Sequence, residues 1–496
     1  MGRTLDYAII IAYLIGVAVF GIISGGKQKS VKDYFLGGKK MAWWAVGFSI
    51  VASETSTLTF ISIPGLAYLT NMNFLQLVFG FFLGRLIVSF VFIPAYYRGN
   101  LETAYDFIGK RFGLSLRKFT SSVFITTRVL ASGVRLFATA IPVHIITGWD
   151  YITCILVIGV FTLIYTYIGG LKAVVAMDVV QLFIYLGGAA ISMYLILNHL
   201  PNGWSDVVTF ASANNADKFA VLNLKLGDSI WEFLSSPYTL IGGLLGGTFL
   251  TMASHGTDQL LVQRLLGCKS KRDSQKALIL DASLIVLQFL FFLILGLCLY
   301  AYYNGSTLHQ LGLKSSDEIF PKFIIEKLPV GISGFVIAGV LASAMGSLSS
   351  SISSLASSTY LDLFRQIFKK INYTLKKEIF LSRLFTLIWG IFLIGGAMLF
   401  TDTKNPVVEL GLKIASITYG GLLGTFFLGL LFKRIDSIDS YMGFISALII
   451  MVLVLFYTKI DYTWHTFIGC AFCILIGNLS WFLRNKFFLK TKELID

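Results

Sequence analysis

Long apolar runs recur along the whole chain, separated by short polar stretches that are mostly basic. Thirteen runs come near or exceed the ~20 residues that a helix needs to cross hydrocarbon. They cover 6–24, 43–70, 75–97, 118–147, 151–169, 174–198, 233–262, 277–303, 330–363, 379–401, 406–432, 438–457 and 463–483. The pattern predicts an all-α polytopic membrane protein with one transmembrane domain over residues 1–496. Several runs are longer than a straight crossing requires, which implies tilt or a break. Residues 6–24 lack a basic leader and a small-residue cleavage site, so they are expected to persist as the first helix.

Composition agrees with this pattern. Of 496 residues, 56% are hydrophobic and 13% charged, and mean hydropathy is +0.78. An ordinary soluble domain carries about 25% charged residues. The net charge of +14 raises the question of a nucleic-acid partner, and its distribution answers it. Of the 40 lysines and arginines, 27 fall in alternate connections and near the C-terminus, including 25–42, 98–118, 264–276 and 365–377. Eight fall on the other side. Under the positive-inside rule the N-terminus is expected outside and the C-terminus in the cytoplasm, in a multi-pass cell-membrane protein. The excess charge then sets topology, and no nucleic-acid partner is expected. The five remaining basic residues, Arg85, Arg128, Arg135, Arg383 and Lys413, lie inside or at the edge of runs. Five cysteines sit mostly in apolar runs, and no Cys/His set completes a zinc site.

Two apolar runs carry unusual polar content. SIVASETSTLTFISIP (49–64) holds Glu54 and seven hydroxyl side chains and ends in proline. A helix broken there frees backbone carbonyls, which are tolerated at membrane depth only where they line a cavity or are buried in protein. Freed carbonyls and hydroxyls suit a small hard cation. LASAMGSLSSSISSLASSTYLD (341–362) places Ser343, Ser347, Ser350, Ser354 and Ser358 on one helical face. Hydroxyls that cement helix packing are the plainer reading of both stretches.

Several stretches, taken together and in order, resemble the sodium/solute symporter family, whose members carry sugars, iodide, proline, pantothenate and sialic acid. They are YFLGGKKMAWWAVGFS (34–49), the broken-helix stretch, TAYDFIGKRF (103–112), YTYIGGLKAVVAMDVVQ (165–181), DQLLVQRLLGCKSKRDSQKA (258–277), the serine stripe and YGGLLGTFFLGLLFKR (419–434). The resemblance implies a leucine-transporter-like fold of two inverted five-helix repeats, about 43–198 and 233–432. One extra helix (6–24) precedes them and two peripheral helices (438–483) follow. It also implies a sodium site made by the carbonyls of Ala52 and Thr55, the carbonyl of Ser343, position 346 and Ser347. Many relatives have a hydroxyl at 346, where this chain has Gly346. Asp178 and Glu54 are the candidates for a second sodium or coupling site, and a salt-bridge partner for Asp178 in a loop is the plainer alternative.

Arg128 and Arg135 stand two helical turns apart, about 10 Å along the axis, on one face. Arg suits bidentate recognition of a carboxylate. The resemblance favours Arg128 as the anchor, and a permanent internal pair with Glu54 is the alternative for Arg135 or Arg85. Ser56, Thr59, Gln76, Phe79, Phe137, Lys413 and Tyr419 complete the expected substrate set. Lys413 could instead pair with Glu409. The expected function is sodium-coupled symport of a small polar organic solute by alternating access, in a monomer embedded in the bilayer. The solute could be an anion such as sialic acid or another carboxylate, or a sugar or polyol. Proton coupling on the same fold is the alternative, and a transporter-like sensor or channel a more distant one. No Walker A pattern, nucleophile triad or metal cluster points to an enzyme or an ATP-driven pump.

Overall fold

The computed structural model describes residues 4–212, 217–368, 370–371, 373–399 and 407–493, with the side chains of Leu58, 407–416 and 487–493 left out. Every named element among the described residues is helical. Polar residues at the ends of the apolar runs cap these helices. Thr103 Oγ1 accepts from Asp106 N at 3.1 Å, Ser270 Oγ from Asp273 N at 3.1 Å and Asp150 Oδ2 from Thr153 N at 3.0 Å. Each satisfies an amide that the first helical turn leaves open.

Among the described residues, nine helices are long and apolar enough to cross a membrane, or ten if the bent pair at 43–69 counts as one. The chain is therefore a multi-pass membrane protein, with fewer crossings established than the thirteen expected. The differences are local. The runs 151–169 and 174–198 are two helices that meet end to end within Tyr151–His199, at Gly170, where φ is +59° and ψ −155°. Only glycine adopts that backbone cheaply. The expected crossing 233–262 is cut at both ends. Pro237 and the left-handed Tyr238 precede it, so the helix runs Leu240–Gly256. It stops at Thr257, and a short helix Gln259–Leu266 follows, its first turn capped by Asp258. The run 406–432 lies partly outside the described residues, as does the side chain of Lys413 with its expected partner Glu409.

The serine-rich helix Ile332–Ser358 is the centre of the bundle. Its residues from Ser333 to Ser358 are buried almost without exception, packed along Tyr151–His199 and against Leu114–Thr147 and Thr4–Gly25. The serine stripe is thus one side of a helix enclosed on all sides. The first helix is clamped to its start: the Asp6 carboxylate accepts from Gly331 N at 2.6 Å, Gly334 N at 2.9 Å and Ser333 Oγ at 2.8 Å. Leu75–Ile87 packs on Leu240–Gly256 through glycines. A Cβ on Gly80 would meet Gly243 O at 2.6 Å, and one on Gly247 would meet Leu77 O at 2.3 Å. This close approach of small residues is a usual way for helices to associate in lipid.

Candidate functional site

The break in the second apolar run falls at Thr55, nine residues before Pro64, which lies inside the second half-helix. Trp43–Glu54 and Thr59–Leu69 meet at 61°. Thr55 has φ −73° and ψ 89°, and Ser56 N donates to Glu54 O at 2.9 Å, the shape of an inverse γ-turn. Because Ser56 N turns to Glu54, it does not reach back to Ala52 O, and that carbonyl is freed. Ser53 O accepts from Ser347 Oγ at 3.3 Å, across from the serine-rich helix. Thr57 Oγ1 meets Ser343 Oγ at 3.0 Å. The side chain of Thr55 is committed, donating to Val51 O at 2.8 Å and accepting from Gln288 Nε2 at 2.6 Å. Its carbonyl is what it can offer a cation.

Gly346 faces this break across a small oxygen-lined space. A methyl group built on Gly346 would lie 3.1 Å from Gln181 Oε1, 3.5 Å from Asp178 Oδ1 and 3.6 Å from Ala52 O. Gln181 Oε1 and Asp178 Oδ1 are both buried without a hydrogen-bond partner among the described residues. Buried oxygens are normally satisfied, and oxygen donors are what a hard monovalent cation takes. The other oxygen of Asp178 is fully engaged. Oδ2 accepts from Ser49 Oγ at 2.5 Å and from Arg264 Nη2 at 2.9 Å, and both charged side chains are 0% exposed. Arg264 also donates to Ser350 Oγ at 2.6 Å. The loop partner expected for Asp178 is therefore this arginine, on Gln259–Leu266. Arg264, at the edge of the basic connection 264–276, is thus a buried partner of Asp178 and not one of the loop's solvent-facing charges.

Beside the break opens a cavity of about 510 Å³, lined by Ser53, Glu54, Thr55, Ser56 and Thr59, by Arg85, Arg128, Arg135, Asp258 and Tyr419, and by Asp317. Apolar walls come from Phe74, Leu77, Phe81, Phe124, Ile285, Phe289 and Leu422. The size and lining fit a small organic ligand. Three arginines reach it, and two are already paired. Arg85 binds Glu54 and Asp281. Arg128 binds Asp258, whose Oδ2 also accepts from Tyr419 OH at 2.8 Å. Arg135 makes no hydrogen bond or ion pair with the described residues.

The expected substrate residues divide accordingly. Ser56, Thr59, Arg128, Arg135 and Tyr419 line the cavity, and Gln76, Phe79 and Phe137 do not. Phe79 is 39% exposed on the outside of the bundle, because the glycine face of its helix turns inward instead. Gln76 is an internal brace: its amide donates to Tyr238 O at 2.8 Å and accepts from Asn223 N at 3.1 Å. Phe137 is buried against the Tyr151 ring, with centroids 5.7 Å apart. The carboxylate oxygens of Glu54 go to Arg85 and His255, so Glu54 is not put forward as a sodium ligand. The alternative of a Glu54 pair holds for Arg85 and not for Arg135. Sequence reasoning missed Gln181, Asp258, Arg264, His255 and Asp281. The first three lie within stretches that carry the family resemblance, which marks them without naming their partners.

The profile of the sodium:solute symporter family matches residues 34–454. The chain is 27% identical over 481 residues to a sodium/sialic acid symporter of Aliivibrio fischeri, covering 96% of this chain and 93% of that one. It is 26% identical to the sodium/sialic acid symporter of Proteus mirabilis, over 96% and 94%. A human sodium-coupled monocarboxylate transporter is 27% identical over 90% of this chain and 73% of its own length. Among solved structures, a substrate-bound, outward-open sodium-coupled sialic acid symporter superposes with a TM-score of 0.86 at 26% identity, covering 97% of this chain and 98% of that one. A nucleobase-cation-symport-1 transporter, 13% identical over 90% of this chain and 93% of that one, shares the fold with a TM-score of 0.53. Transport by this chain is coupled to sodium, and the chain belongs to the sodium:solute symporter family.

Proposed function

We propose that the chain imports a small organic anion together with sodium, by alternating access, as a monomer. The observation that carries this reading is Arg135: a guanidinium without a protein partner among the described residues, lining the cavity beside the broken helix. A half-buried cation facing the cavity attracts an anion, and guanidinium matches a carboxylate in two hydrogen bonds. The hydroxyls of Ser56 and Thr59 and the aromatic walls would take the rest of the solute. Sodium would bind between the carbonyls of Ala52, Thr55 and Ser343 and the hydroxyl of Ser347, with Asp178 Oδ1 and Gln181 Oε1 as donors in the space that Gly346 leaves. Binding there ties the two halves of the broken helix to the serine-rich helix. That restraint would favour the form open to solute.

The fold reading that goes with this has thirteen crossings, counting Leu240–Gly256, the helix ending at Leu431 and the two arms of Tyr151–His199. Five-helix inverted repeats would cover about 43–198 and 233–432, with the N-terminus outside and the C-terminus in the cytoplasm. Relatives carry sialic acid and monocarboxylates, so these two classes head the test. Proteoliposomes with an inward sodium gradient are offered sialic acid, short monocarboxylates, neutral sugars and amino acids. Uptake of an acid, abolished by replacing sodium with potassium, is the expected result. Uptake confined to neutral sugars would overturn the anionic reading and leave Arg135 without a role.

A further inference from the structure

Glu54 ends the helix Trp43–Glu54, and groups from three other helices close on it. Arg85 comes from Leu75–Ile87, His255 from Leu240–Gly256 and Asp281 from Lys271–Tyr302. Arg85 bridges the carboxylates, with Nη2 on Glu54 and Nε on Asp281 Oδ2 at 2.6 Å. Its Nη1 donates to Phe81 O at 3.1 Å. His255 Nε2 lies 2.8 Å from Glu54 Oε1 and 3.5 Å from Asp281 Oδ2, although it is not aligned with either well enough to make a hydrogen bond. The side chains of Arg85, His255 and Asp281 are 2%, 1% and 0% exposed, and only Glu54, at 21%, is more open.

Charges in this cluster do not balance. Two carboxylates face one guanidinium, which leaves one negative charge out of water, and such a charge is strongly disfavoured. Arg135, on Leu114–Thr147, shares the cavity wall with Glu54 but makes no hydrogen bond or ion pair with either carboxylate, and no further charged group among the described residues is free to neutralise the cluster. On Gln259–Leu266, Arg264 is held by Asp178, and next to it Asp258 is held by Arg128. On Tyr462–Glu493, Tyr462 OH donates to Tyr238 and His465 Nε2 meets Ile460 O. The cluster therefore calls for one further positive charge of its own.

Glu54, His255 and Asp281 have the spacing of a metal site, but a divalent ion would overshoot neutrality beside Arg85. Sodium would find a nitrogen where it prefers oxygen. A proton on Asp281 would sit on Oδ1, which is buried with no acceptor. A proton on His255 meets none of these objections. Its Nε2 faces carboxylate oxygens. Its Nδ1 lies 2.9 Å from Ser254 Oγ, and that hydroxyl donates onward to Thr251 O at 3.3 Å. Both ring protons then have somewhere to go.

We propose that Glu54, Arg85, Asp281 and His255 form a proton-binding site in the cavity wall, with the proton on His255, separate from the sodium ligands. The part-exposed Glu54 connects the site to water in the cavity. Loss of the proton would place a net negative charge on the wall that Arg135 shares, and would compete with an anionic solute for that arginine. The site itself does not depend on which solute is carried.

The test is nitrogen NMR of the full-length protein in detergent, labelled at its five histidines, with a chelator present. Expected at pH 7.5 is a doubly protonated imidazole signal that is missing from His255→Gln. Asp281→Asn removes the surplus negative charge, so in that variant the same signal should become singly protonated. Asp281→Asn also assigns the signal if His255→Gln does not fold. A singly protonated His255 in the wild type, an unchanged signal in Asp281→Asn, or a wild-type signal that shifts on chelation would each overturn the proposal.

Discussion

Arg128 and Arg135 line the same cavity two turns apart, and the structure gives them opposite roles that substitution separates. Arg128 and Asp258 neutralise each other, with side chains 10% and 1% exposed. Arg128→Gln would strand the Asp258 carboxylate, at a cost of roughly 3–5 kcal/mol for breaking one side of a buried pair. Asp258 also accepts from Leu260 N at 2.9 Å and from Tyr419 OH, and these bonds keep the loss toward the lower figure. Removing both charges in Arg128→Gln/Asp258→Asn should restore much of the stability. Among the described residues Arg135 has no protein partner to strand, so Arg135→Gln should fold as well as wild type or better. What it loses is the solute: a guanidinium on a carboxylate is worth about 1.5–3 kcal/mol for each hydrogen bond. A net loss of about 2–4 kcal/mol raises KM roughly 30- to 1,000-fold. The assays are expression level and melting temperature in detergent, with sodium-driven uptake of the carried acid in proteoliposomes. If Arg135→Gln melts as low as Arg128→Gln, or transports with an unchanged KM, Arg135 is a strut and the argument for an anionic solute falls.

Other predictions bear on the sodium ligands and on the packing. Gly346→Ala would put a methyl group 3.1 Å from Gln181 Oε1 and fill the space left for the ion, so sodium's half-maximal concentration for uptake should rise at least about tenfold, a change of 1.4 kcal/mol. Gly346→Ser returns an oxygen to that space and should be better tolerated than Ala, as sodium titrations of uptake will show. Ser347→Ala should weaken sodium dependence, whereas Ser358→Ala, whose buried hydroxyl makes no hydrogen bond among the described residues, should not; equal effects would make the stripe a packing surface. Gly247→Leu should abolish expression of folded protein, because its Cβ already meets Leu77 O at 2.3 Å; normal expression would mean that the two helices do not meet there.

Apolar runs and the broken helix could be read from the sequence because each is set by neighbouring residues. The run lengths located the nine or ten crossings established among the described residues, and the hydroxyl-rich segment with Glu54 located the break. Pro64 misplaced it in detail, since a proline is accommodated within Thr57–Leu69 while the turn forms at Thr55. Pairing was not legible. Arg128 finds Asp258, Arg264 finds Asp178 and Arg85 finds Asp281 across 130, 86 and 196 positions, and only packing decides such partners. Helix faces were legible where one side is polar and opaque where all sides are apolar. That is why Phe79 was expected in the cavity and lies outside.

The central claim is that sodium is bound by the oxygens gathered where the broken helix meets the serine-rich helix. Thermal stability of the detergent-solubilised protein tests it most directly, because an ion that binds only the folded state stabilises it by mass action, about 2.7 kcal/mol at a hundred times Kd. The account predicts that the melting temperature climbs with sodium at constant ionic strength, stays flat with potassium, and loses its sodium response in Gly346→Ala and Ser347→Ala. An equal response to sodium and potassium, or a full sodium response in both variants, would contradict it.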